Sequence, residues 1–144
     1  MSSTPATLVD DRTLSEILRG VRSIDGPVYT TGLWYVRLCQ AVLSSNRPPT
    51  GQLSKPIASL PPSARAAAIR ALLQLPENIG MLSLRQLGPT IAELRESHRL
   101  NLLGIEALAA ATTTGATVLL SAASPQLEAA LLAEGIAVEA TRQG

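Results

Sequence analysis

The sequence predicts an α/β fold, a three-layer α/β/α sandwich around a short, mainly parallel central sheet of about four strands. Three observations carry this. Four short runs, residues 6–9, 79–84, 117–121 and 136–140, are apolar at consecutive positions and so have no polar face to give to solvent. The longer segments between them repeat their apolar residues at helical spacing. Those segments open on capping residues and close on glycine or proline, so helices alternate with strands as parallel crossovers require.

Each element follows from local chemistry. Ala-Thr-Leu-Val at 6–9 is the first strand, and Asp10 stands at its carboxyl end. A helix from Asp11 to Gly20 carries Leu14, Ile17 and Leu18 on one face. Asp11 in its first turn favours the helix dipole, and Gly20 stops it. The stretch SIDGPVY, 23–29, is expected as a turn. Thr30 or Thr31 then caps a helix reaching about Leu43. Residues 44–62 form a Pro/Ser-rich loop.

An Ala-rich helix follows, bracketed by the prolines around 61 and 76. Residues 79–84 are expected as a second buried strand, and the next helix as starting around Pro89. Asn101 caps a further helix that Gly115 ends. After the strand at 117–121, Ser124 caps a helix with Pro125 in its first position, and 136–140 is the last strand. No internal repeat breaks the chain, and 1–144 is expected as a single domain.

Composition narrows the function. The apolar share is 46%, with no Phe, one Trp and two Tyr, so aliphatic side chains build the core and few rings remain to stack on bases. Net charge is +1, which favours no polyanion and gives no sign of DNA specificity. The lone Cys39 has no internal disulfide partner, which fits a reducing compartment. No leader-like opening and no membrane-spanning run is legible, so a cytoplasmic protein is expected. No glycine spacing fits a phosphate loop.

The segments LVDDRTLSEILRG, VYTTGLWYVRLCQAV and HRLNLLGIEALAAATTTGATVLLSAASPQLEAALLAEGIAVEA resemble a PIN domain, the fold of the VapC-type ribonucleases of toxin–antitoxin systems. The resemblance covers nearly the whole chain and is least at 44–62. It implies a crevice where about four carboxylates hold Mg²⁺ or Mn²⁺ for RNA hydrolysis, since hard cations take oxygen ligands.

Carried onto this sequence, the first acid is Asp10. The second falls on Arg37, the third on Gly104 and the fourth on Ala123. One acid remains, and a cation has entered. The charges of Asp10 and Arg37 cancel, so the resemblance implies a site without metal or other cofactor. Arg37 is expected to pair with Asp10 in the metal's place, its planar fork gripping the carboxylate.

The expected function is therefore a PIN-like domain without metal-dependent nuclease activity, a protein-interaction or oligomerising module. A homodimer or a protein partner would use the Trp34–Tyr35 helix or the helices at 63–75 and 89–97. The alternative is an active Mg- or Mn-dependent endoribonuclease, with RNA as partner, using a rearranged acidic site of Asp10, Asp11, Glu16 and Glu106. Against it, Glu106 lies two residues past Gly104, a helical rotation of about 200°, and Glu16 is expected at solvent or on the flank of its helix.

Other residues have plainer readings. Trp34 and Tyr35 on an apolar helix are core or a subunit contact, and His98, the only histidine, is a polar turn residue. Ser15, Ser83 and Ser121 lack a nucleophile-elbow context. Arg65, Arg70, Arg85, Arg95 and Arg99 are a solvated face.

Overall fold

The structure, a computed structural model, describes residues 5–44 and 51–140. Its strands are β1 (Thr7–Val9), β2 (Val28–Thr30), β3 (Ile79–Met81), β4 (Thr117–Leu120) and β5 (Val138–Ala140). Its helices are α1 (Asp11–Leu18), α2 (Gly32–Leu43), α3 (Lys55–Ala58), α4 (Pro62–Leu73), α5 (Leu84–Leu94), α6 (Leu102–Thr114) and α7 (Pro125–Ala133). The strands form one sheet in the order β3-β2-β1-β4-β5, and every pairing is parallel.

The pleat sorts the core into two layers, because successive strand residues face opposite sides. On β1, Leu8 joins one apolar cluster and Val9 the other; on β4, Val118 and Leu120 separate from Leu119 in the same way. The larger cluster sets the sheet against α5, α6 and α7, through Leu87, Ile105, Leu108 and Leu131. The second sets it against α1, α2 and α4, through Leu14, Leu38 and Leu72. This is a three-layer α/β/α sandwich.

Four elements differ from the expected ones. The sheet has five strands, not about four, because Val28–Thr30 continues out of the expected turn as β2. Flanked by β1 and β3, this short β-branched piece gains ladder bonds on both edges. The strand expected at 79–84 is present but shorter and at the sheet edge: β3 spans Ile79–Met81, with Ile79 buried and Met81 exposed.

α5 begins at Leu84, not at Pro89. Ser83 and Gln86 form a reciprocal capping box there, with Pro89 inside the helix. Two satisfied donors fix the start, and one missing N–H further along does not move it. The loop at 44–62 contains α3, while residues 45–50 of it lie outside the described residues.

The ends of α2 and α6 fall where capping chemistry puts them, whereas Ser124 precedes α7 without making a side-chain cap bond. Thr31 accepts from Trp34 N, Asn101 accepts from Gly104 N, and Gly115 closes α6 in the left-handed region at φ 69°. Trp34 is buried in the larger core cluster, and the Tyr35 hydroxyl donates to Leu72 O at 2.7 Å. The outward apolar residues of α2 are Val36 and Leu43.

Candidate functional site

A chain that runs outward from β1 to β3 and then returns to add β4 on the other side of β1 leaves a crevice between β1 and β4. In open α/β sheets ligands bind beyond the strands' carboxyl ends at such a switch point. Asp10 follows β1 there, and Ser121 and Ala122 follow β4.

Asp10 is buried and fully engaged by the backbone. Its Oδ1 accepts from Thr13 N at 2.9 Å, and its Oδ2 accepts from Ser121 N and Ala122 N, both at 3.0 Å. It therefore caps α1 and ties the β1 turn to the β4 turn. A carboxylate offers about four lone-pair positions, so three N–H donors leave it little to give a metal ion.

Beside it a hydroxyl chain crosses the same gap. Ser121 Oγ donates to Glu16 Oε1 at 2.8 Å, which leaves the Thr13 hydroxyl to donate to Ser121 Oγ at 2.5 Å. Glu16 Oε2 also meets Arg22 Nη2 at 3.3 Å. Glu16 is thus held between Ser121 and Arg22, rather than left on the helix flank.

Arg37 does not pair with Asp10. Its Nε lies 3.6 Å from Asp11 Oδ2, an ion-pair separation beyond hydrogen-bond reach. The reason is that backbone N–H groups already occupy Asp10, while the next carboxylate along the chain has an oxygen to spare. Asp11 is 4% exposed; its Oδ1 accepts from Arg12 N at 2.8 Å, and its Oδ2 has no hydrogen-bond partner among the described residues.

Burial pushes the Asp11 carboxyl above its ordinary 3.8, and the Asp10 charge pushes it further. Arg37, the Arg12 N–H and the Arg12 charge pull the other way without cancelling this. Asp11 is therefore more than the first-turn residue its position implied. It is a buried acid held against its preference.

The crevice encloses about 1200 Å³. All four positions singled out by the resemblance, Asp10, Arg37, Gly104 and Ala123, line it, together with Asp11 and Arg12. Glu16 and Glu106 are not among its lining residues. Glu106 is buried elsewhere, its Oε1 accepting from Leu33 N at 2.9 Å over the start of α2.

Gly104 has little room for a side chain of any kind. A Cβ there would meet Asn101 Oδ1 at 3.1 Å and Leu100 Cβ at 3.3 Å, tight against the cap of α6. Among the described residues no three of His, Cys, Asp and Glu gather as a set able to hold a metal ion. The donor set does not fit a PIN-type cation: one available oxygen of Asp11 faces Arg37, and the oxygens of Asp10 are taken.

Sequence reasoning missed that the Thr13, Ser121 and Ala122 amides hold Asp10, and that the first turn of α6 faces the crevice through Leu103 and Gly104. The legible signal was position alone, since each follows or faces a predicted strand end. His98 lies between α5 and α6, pairs with Glu134 at 2.9 Å and is not among the residues lining the crevice. No family model matches this chain, and no curated protein matches it. No helix among the described residues is long and apolar enough to cross a membrane.

Proposed function

We propose that this chain is a PIN-like domain that has exchanged metal-assisted hydrolysis for binding, and that it works as a non-catalytic interaction module. The observation that carries this is the crevice itself. Four positions far apart in sequence, marked by the resemblance to PIN nucleases, line one cavity, yet only Asp10 among them is acidic and its oxygens serve backbone amides. A cation would have to compete with three N–H donors at Asp10 and with the Arg37 charge beside Asp11.

Pairing with a second copy or with another protein would draw on the outward apolar residues of the helices, Val36 and Leu43 on α2, Leu73 on α4 and Leu84 on α5. A second reading has one observation in its favour. The unpartnered Oδ2 of Asp11, next to Asp10, is where a rearranged metal site of a ribonuclease would begin.

Calorimetric titration with Mg²⁺ and Mn²⁺, run beside a cleavage assay on mixed RNA, separates the readings. The module reading expects neither saturable metal binding nor metal-dependent cleavage. A stoichiometric divalent site with RNA cleavage overturns it and installs the nuclease.

A further inference from the structure

We propose that the Asp11–Arg37 end of the crevice binds a small organic oxyanion that also carries an N–H or O–H donor. This rests on the metal-free reading of the same crevice and names the class of ligand it would take.

Two complementary features converge there. The first is an acceptor without a donor. Asp11 Oδ2 is buried and unpartnered among the described residues, Asp11 lines the crevice, and the nearest cationic nitrogen, Arg37 Nε, stands too far away to hydrogen-bond. Leaving a buried acceptor unmade is costly, and a ligand N–H or O–H would remove that cost.

The second feature is positive potential. Arg37 and Arg12 both line the crevice, and Arg37 is about half exposed at its side chain, 54%. The N-terminus of α6 opens on the same space through Leu103 and Gly104, and its first turn holds no acidic residue. Asn101 occupies the Gly104 amide, which leaves the preceding amides of that turn without an intrahelical acceptor. Asp10 keeps its charge, but its oxygens are turned to their own amide donors and away from a ligand.

A bare cation satisfies Asp11 and is repelled by the arginines. A bare anion suits the arginines and is repelled by Asp11. A molecule with an oxyanion at one end and a donor on its body meets both demands. Trp34, Leu103, Leu120 and Leu127 supply apolar wall for that body.

The test uses the whole chain in a chelator, with thermal shift and calorimetry as readouts. The probes are guanosine 5′-monophosphate and O-phosphoserine, which combine both groups, against inorganic phosphate and guanosine, which carry one each. At least one combined probe should bind saturably, and at least tenfold more tightly than either single-group probe, the scale of one charge-assisted hydrogen bond.

Asp11→Asn should weaken that binding about tenfold while leaving a folded protein that melts higher than the parent, and Arg37→Ala should weaken it as well. Silence of both combined probes at millimolar concentration overturns the proposal, as does unchanged binding by Asp11→Asn. The metal titration keeps the two failures apart. Silent probes with silent Mn²⁺ remove only the oxyanion site, whereas stoichiometric Mn²⁺ binding removes the metal-free reading and this inference with it.

Discussion

Asp10 and Ser121 are 111 residues apart in sequence and joined by one bond, Ser121 N donating to Asp10 Oδ2 at 3.0 Å. With Ala122 N on the same oxygen and Thr13 N on the other, this carboxylate closes the gap where the sheet reverses its order. The carboxylate acts as a structural fastening.

Removing it should therefore cost stability. Asp10→Ala leaves three amides without their acceptor and takes away the cap of α1, so unfolding free energy should fall by about 3 kcal/mol or more. Asp10→Asn keeps one acceptor oxygen and should lose less. Urea denaturation followed by circular dichroism checks both, and an Asp10→Ala variant as stable as the parent would refute the fastening role. The same measurement must accompany any activity assay on that variant, since lost activity from a partly unfolded chain says nothing of catalysis.

Asp11 acts with the opposite sign. A carboxyl whose folded value is raised above 3.8 favours folding while protonated, and that advantage is fully present below 3.8. It is lost as pH rises from there through the folded value, so at neutral pH the ionised group weakens the fold. Asp11→Asn, neutral at every pH, should be more stable than the parent at pH 7. The gap should narrow as the solution is acidified toward 3.8. Paired urea titrations at neutral and acid pH measure it; a gap independent of pH would show that Asp11 titrates normally.

Arg37 should matter little to stability. The sequence reading placed it against a buried Asp10, where its loss would strand a charge. Its actual partner is Asp11, at 3.6 Å, and its side chain is 54% exposed to water. Arg37→Ala should then change stability by less than about 1 kcal/mol, an effect that salt reduces further. A loss of several kcal/mol would mean that the guanidinium is held more closely than the geometry indicates.

The resemblance to PIN nucleases can be tested by restoring acids. Arg37→Glu together with Ala123→Asp would put two carboxylates back into the crevice beside Asp10 and Asp11, and remove the competing cation. Calorimetry on both proteins should then detect tighter Mn²⁺ binding by the double variant than by the parent. Gly104 is best left alone, because an added side chain presses on Asn101 and Leu100. If the double variant folds and ignores Mn²⁺, the four positions do not share a cation site.

Much of the fold is legible in the sequence because its signals are local. Thr31, Asn101 and Gly115 end helices by chemistry that needs no distant partner. The strand at 117–121 is apolar on consecutive residues because both faces are covered. β2 escapes because three residues after Gly26-Pro27 look like the tail of a turn until β1 and β3 flank them.

The site divides in the same way. That Asp10 ends a strand follows from the sequence. That its oxygens belong to Ser121 and Ala122, and that Arg37 reaches Asp11, depends on how distant turns meet. An acid just before a helix is also a cap by type, and that cue points to Asp10 as the cap and Asp11 as the first helical residue.

Glu106 and Gly32 carry a constraint of their own. The glutamate occupies the start of α2 so closely that a methyl group on Gly32 would sit 3.3 Å from its Oε2. Neither position is free to drift alone: enlarging residue 32 crowds the acid, and shortening residue 106 strands the Leu33 amide that it serves. Among divergent descendants of this chain the two sites should change as a pair, a side chain at 32 appearing only where residue 106 is no longer glutamate.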